Sequence, residues 1–235
     1  MKLTEEGIEL FEFVNQGLAS FDLAENMIKQ KNGLEEGEIT VGCQSHLVTY
    51  YLMNYIEKAK KDYPNLKIKL ISGLNTNEML GKLENHELDF IIDTVPVENK
   101  NGKLVIEELK EINNIFIAKE PIEVHEVEEL NKLKYVLNFE NTITTKELFE
   151  ILAQYKINIK ANIECDITEL RVEAVKRNLG IGYVMKEAVE KELEKREIYE
   201  VKVPIELPKV KINLIYKKEQ LTIANKKFIK QYLKK

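Results

Sequence analysis

Residues 38–92 read EITVGCQSHLVTYYLMNYIEKAKKDYPNLKIKLISGLNTNEMLGKLENHELDFII, and this stretch decides the fold class. Glu38–Gly42 is a short β run, His46–Lys61 has the spacing of an amphipathic helix that Tyr63-Pro64 ends, and Leu66–Ile71 alternates with period two. Thr76 is placed to cap a helix reaching Asn85, and Leu88–Ile92 is the unbroken apolar run of a buried strand. Strand, helix, strand, helix, strand predicts a parallel sheet with helices on its faces, because parallel neighbours need a crossover long enough to hold a helix.

Downstream the alternation repeats. Strands are expected at Val105–Leu109, Ile112–Ala118, Tyr135–Leu137, Ile159–Cys165, Ile181–Val184, Ile198–Val203 and Val210–Tyr216. Helices are expected from Thr144 or Thr145 to Tyr155, and over Thr168–Asn178, Lys186–Lys195 and Thr222–Leu233. Pro204 and Pro208 suit a crossing segment, since proline cannot donate to a sheet ladder. The string predicts two Rossmann-like α/β lobes joined by two crossover segments, with a ligand cleft facing the carboxyl ends of the parallel strands.

Upstream, residues 4–32 read as one long helix, with Thr4 as cap, Glu5 and Glu6 in the first turn and Asn32-Gly33 as its end. Phe11, Val14, Leu18, Phe21 and Ile28 recur at 3-4 spacing, and Ile8, Ala24 and Met27 widen the stripe. Such a seam suits a partner helix, because alone it leaves aromatics in water; packing on its own domain is the competing reading. Residues 34–37, between Gly33 and Glu38, read as a hinge.

Composition narrows the function. The 235 residues are 44% hydrophobic and 32% charged, which is ordinary for a globular chain able to bury a core. No apolar run approaches membrane-spanning length and MKLTEEGIEL lacks a signal-peptide core, so the chain is read as cytoplasmic with no membrane partner. Lysines and glutamates are mixed, as at Glu57, Lys58, Lys60, Lys61 and Asp62, so no one-signed stripe for nucleic acid stands out. His46, His86 and His125 fall in no metal-ligand spacing, Cys43 and Cys165 form no zinc or redox motif, and no phosphate-binding glycine loop exists. No metal, cofactor or enzyme activity is therefore expected. Gly180-Ile181-Gly182 reads as a helix stop with close backbone packing.

Polar residues that follow strands and open helices are the candidate ligand contacts. Gln44, Ser45 and His46 precede the first lobe helix, where free amides and a hydroxyl favour an anion; Ser45 as a plain N-cap is the alternative. Asn75 and Thr94 follow the second and third strands of the first lobe. In the second lobe Asn141, Thr142 and Thr144 lead into a helix, against the alternative of a threonine-rich turn. Asp166 and Thr168 open the next helix, with Thr168 equally suited to capping it.

Four segments together resemble one family. LTEEGIELF resembles the end of the winged helix-turn-helix of LysR-type transcriptional regulators as it runs into their dimerising linker helix. GEITVGCQSHLVTYYLMNYIEKAKKDYPNLKIKLISG is similar to the start of the family's effector domain, and LENHELDFII and RNLGIGYVMKEAV resemble its "gelD" and "GxGia-lP" segments. His86 departs from the usual Gly and Lys186 from the frequent Pro. The resemblance implies a type 2 periplasmic-binding-protein-like fold, with residues 38–93 and 204–235 as lobe I, 94–203 as lobe II, and 1–33 as the winged-helix remnant and linker helix. It implies a homodimer or homotetramer that senses a small effector and reaches DNA through a winged helix-turn-helix absent from these residues, either as a cut piece or as the product of a shortened gene. A solute-binding protein of the same fold is the alternative function.

Overall fold

The computed structural model describes residues 4–29, 33–99 and 102–234. They divide into two compact units, Met1–Lys110 with Ile212–Lys235, and Glu111–Lys211. Helix α1 (Glu5–Lys29) opens the chain, and the Thr4 hydroxyl accepts from the Gly7 amide at 3.1 Å, satisfying one of the helix's unpaired amino-terminal donors. Its expected end at Asn32 lies outside the described residues. At residues 33–37 the chain turns with Leu34 buried, and a side-chain carbon on Gly37 would come within 2.7 Å of Ala224 Cβ.

In the first unit β1 (Glu38–Cys43) lies between β2 (Lys67–Ile71) and β3 (Phe90–Asp93), parallel to both. The second half of β9 (Lys209–Tyr216) closes the sheet antiparallel to β3. All four residues of β3 are buried, as expected where helices cover both faces. One helical run, α2 (residues 45–62), follows β1, and its turns widen at Val48–Leu52 before tightening again over Met53–Asp62. Helix α3 (Thr76–Glu84) inserts Met79 and Leu83 against Leu88, Ile91 and Ile215. The final run, α7 (residues 223–233), stacks Phe228 on Phe90 with centroids 6.2 Å apart, and Thr222 caps it by accepting from the Asn225 amide at 3.2 Å. Asp89, which precedes β3, is half-buried and accepts from the Thr40 amide at 2.6 Å; desolvation holds its carboxyl above the usual range.

The second unit carries β4 (Val105–Ala118) from Glu111 onward, β5 (Tyr135–Leu137), β6 (Ala161–Glu164), β7 (Ile181–Met185) and β8 (Tyr199–Val201). Strand β5 runs parallel to β6 and β7, while β4 is antiparallel to β7 and β8. Helices α4 (Ile143–Gln154), α5 (Thr168–Lys176) and α6 (Glu190–Glu194) accompany them. Phe116, fully buried, packs between Tyr135 and Tyr183 at centroid distances of 6.0 and 5.1 Å, in a core joined by Leu148 and Leu152 of α4.

Several expected elements change. The two strands expected at Val105–Leu109 and Ile112–Ala118 are one continuous β4: Lys110 and Glu111 are both exposed, so the alternation slips there, but neither is a glycine or proline that would stop the strand. The helix expected over Lys186–Lys195 breaks into a tight turn, Lys186–Ala188, and the short α6. Thr76 does not cap α3. Asn75 does, accepting from the Glu78 amide at 3.0 Å while Glu78 accepts from the Asn75 amide at 2.8 Å, a reciprocal box. Gly180 is not the helix stop either: α5 ends in a turn at Asn178. Gly182 does provide close packing, since a Cβ there would meet Val175 Cγ2 at 2.9 Å and Ile117 Cγ1 at 3.1 Å.

Four helices end in the left-handed conformation without glycine, at His86 (φ 60°), Lys156 (φ 58°), Asn178 (φ 59°) and Arg196 (φ 56°). At His86 the cap is a Schellman motif, with the Glu87 amide donating to Lys82 O at 2.9 Å and the His86 amide to Leu83 O at 3.3 Å. This geometry explains why the resembling family pattern has Gly there: a side chain in this conformation costs about 1–2 kcal/mol. His86 Nδ1 is also buried without a hydrogen-bond partner. The His86→Gly variant is expected to gain about 1 kcal/mol, raising the thermal midpoint by roughly 2–4 °C in a melt followed by circular dichroism. A lowered midpoint would show that imidazole packing outweighs the backbone cost.

Candidate functional site

The register of the first unit brings three strand ends to one edge. Gly42 pairs with Ile71 of β2 and with Ile91 of β3, and Cys43 with Ile92, so residues 44–46, 72–75 and 93–94 all leave the sheet on the same side. Four of the expected contacts, Gln44, Ser45, His46 and Thr94, therefore share this edge with Asn75. Gln44 holds the N-cap position of α2 with extended backbone and makes no side-chain cap; its Nε2 instead donates to Leu74 O at 3.0 Å. Ser45 is the first helical residue and not the cap, with its side chain exposed and its carbonyl accepting from the Thr49 hydroxyl at 3.0 Å. His46 is half-buried. The amides of Ser45, His46 and Leu47 belong to the first turn, where α-helical geometry provides no carbonyl acceptor and the helix dipole favours negative charge.

Behind this edge lies Asp93, completely buried. Its Oδ2 accepts from the Thr76 hydroxyl at 2.7 Å, and its Oδ1 from the amides of Thr94 at 2.7 Å and Val95 at 3.3 Å. One carboxylate thus fixes the start of α3 and the exit of β3. Sequence reasoning passed over it because it reads as the polar end of an apolar strand. Cys43, buried beside it, has its thiol pushed up by burial and by the Asp93 charge, so it fills space as a small apolar group.

In the second unit, β5 and β6 end together, with Leu137 paired to Glu164. Thr142 occupies the N-cap of α4 without capping it; its hydroxyl donates within the turn to Phe139 O at 2.8 Å and lies 2.9 Å from the Thr145 hydroxyl. Thr144 is half-buried, and Asn141 is exposed in an open hollow of about 560 Å³ that Phe139, Glu140, Lys160, Ala161 and Glu164 also line. Asp166 is exposed. Thr168 is buried and does not cap α5, because Ile167 holds that position. Its hydroxyl accepts from Arg171 Nη2 at 3.0 Å. Arg171 went unread in the sequence, although the signal was present: Thr168, Arg171, Val172 and Val175 form the buried i, i+3, i+4, i+7 stripe of α5, with a guanidinium where an apolar group is usual.

On α1 the seam residues Phe11, Val14, Leu18 and Phe21 are all exposed, as are Leu10 and Phe13; the side chain of Ile28 lies outside those described. No group of three or more His, Cys, Asp or Glu is placed to hold a metal among the described residues, and no helix among them is long and apolar enough to cross a membrane.

Residues 32–235 match the family model described as the LysR substrate binding domain. The chain belongs to this family. Across 99% of its length it is 26% identical to a Synechocystis protein named as a probable RuBisCO transcriptional regulator, of which it covers 70%. Among solved structures it is similar to CrgA, a LysR-type transcriptional regulator from Neisseria meningitidis, with a TM-score of 0.69 and 17% identity over 99% of this chain and 79% of that one. It is similar also to the regulatory domain of Synechocystis CcmR, solved in complex with 2-PG, with a TM-score of 0.69 and 15% identity over 83% of this chain and 95% of that one. These likenesses establish the fold as that of LysR effector-binding domains, the type 2 periplasmic-binding-protein-like fold.

Proposed function

We propose that this chain is the effector-sensing and dimerising portion of a LysR-type transcriptional regulator, and that it binds a small anionic metabolite. The observation that carries the reading is the start of α2 at the shared carboxyl edge of β1, β2 and β3, with its first-turn amides uncapped by the Gln44 side chain. The regulatory domain of CcmR, solved with 2-PG, supports a ligand-binding role for the fold. Ser45, His46 and Gln44 are the first proposed contacts, with Thr94 beside them; Asn75 is proposed at the same edge, where its side chain and amide are engaged in the capping box. Asn141, Thr142, Thr144, Asp166 and Thr168 are proposed as polar groups that the second unit offers to the same class of ligand. A solute-binding role is not favoured, because the relatives are named as transcriptional regulators.

A thermal-shift screen of 2-PG and small mono- and dicarboxylates tests the reading. A ligand at a hundredfold excess over its dissociation constant adds about 2.7 kcal/mol by mass action, which is several degrees for a chain of this size. The Ser45→Ala variant is expected to weaken binding roughly ten- to hundredfold, as loss of one hydrogen bond to a charged group does, with an unchanged ligand-free midpoint. An undiminished shift removes the Ser45 hydroxyl from the site, and a screen without a single stabilising compound counts against the sensor reading itself.

A further inference from the structure

We propose that Arg171 anchors an oxyanionic small molecule, a carboxylate or phosphate, within the second unit; this rests on the sensor reading above and deepens it by naming a residue and a ligand chemistry in that unit. The side chain is 6% exposed and makes two described hydrogen bonds, Nη1 to Cys165 O at 2.6 Å and Nη2 to the Thr168 hydroxyl at 3.0 Å. Both acceptors are neutral. Nε is buried with no partner, and no carboxylate among the described residues forms an ion pair with the group. Asp166 and Glu169 are exposed and near enough to favour its charge. A guanidinium stays protonated even when burial opposes its charge, so this unit holds a nearly buried cation without a counter-ion in contact.

Its position makes the arrangement costlier for a merely structural role. The two hydrogen bonds place the guanidinium at the first turn of α5 and at the carboxyl end of β6, where Cys165 leaves the strand. Ile167, in the N-cap position, offers no side-chain acceptor to the first-turn amides of that nine-residue helix. Positive charge thus sits on the positive end of a helix dipole, a pairing that disfavours the empty state and that an anion reverses. The fork retains Nε–H and a second proton on each terminal nitrogen, which is the geometry that takes two oxygens of one carboxylate or phosphate.

The test follows the thermal midpoint of the full chain, of Arg171→Gln and of Arg171→Lys while sodium phosphate or sodium acetate replaces sodium chloride at matched ionic strength. Phosphate, acetate or both are expected to raise the wild-type midpoint, and the more effective one tells which oxyanion the site prefers. Arg171→Gln is expected to need roughly ten- to hundredfold more anion for the same shift, and to melt no lower than wild type without anion, because a buried uncompensated charge is gone. Arg171→Lys, which keeps the charge but not the fork, retains the fold and loses most of the response. Wild type indifferent to both ions, or an equal response in wild type and Arg171→Lys, overturns the proposal, as does a large loss of ligand-free stability in Arg171→Gln, which marks a structural clamp. A carboxylate from the screen that stabilises wild type and Arg171→Gln equally rejects Arg171 while leaving the sensor reading standing.

Discussion

The Asp93→Ala variant is expected to lose about 3–4 kcal/mol of stability, since it strands three donors that a charged acceptor now satisfies. For a chain of this length that is a fall of roughly 10 °C in the thermal midpoint. Asp93 is fully buried, so water does not replace the lost acceptor. The consequence reaches the proposed site, because the same carboxylate holds Thr76 at the start of α3 and the Thr94 amide at the end of β3. Asp93→Asn provides the control. Its carbonyl oxygen still serves the Thr94 and Val95 amides, and the Thr76 hydroxyl turns to accept from the new amide. It is expected to melt within a few degrees of wild type, and equal melting of Asp93→Ala and wild type would refute the anchoring role.

The second large effect concerns association. With Phe11, Val14, Leu18 and Phe21 exposed at 56, 49, 58 and 77% on one stripe of α1, the helix presents aromatic surface that a second copy of the chain is proposed to cover. The Phe11→Glu/Leu18→Glu double variant places two like charges in that seam and is expected to weaken the dimer at least about a hundredfold, from lost apolar burial together with charge desolvation. Analytical ultracentrifugation at micromolar protein should show wild type as a dimer or larger and the variant as a monomer. A wild type that sediments as a monomer would dismiss the seam.

Much of this arrangement was legible in the residues, and the failures have physical reasons. EITVG followed by SHLVTYYL announces a strand delivering a polar turn into an amphipathic helix, and the edge formed by residues 44–46 follows from the parallel pairing that such a string requires. The competition between Asn75 and Thr76 for the cap of α3 was not decidable locally, because a carboxylate seventeen positions later takes the threonine hydroxyl. The left-handed caps at His86, Lys156, Asn178 and Arg196 hide for a different reason: the usual signal is a glycine, and none is present. Arg171 was missed because charge on a helix is normally read as a solvated face. Only its coincidence with the Thr168, Val172 and Val175 stripe marks it as inward, and only the fold shows that its acceptors are neutral.

The central claim, that a small anion is sensed at the edge where α2 begins, is tested most directly by amide chemical-shift mapping. The isotope-labelled chain is titrated with the carboxylate that gives the largest thermal shift. The account predicts saturable changes strongest at the amides of Ser45, His46 and Leu47, with Thr94 following. Saturable binding that leaves these four amides unmoved would contradict it.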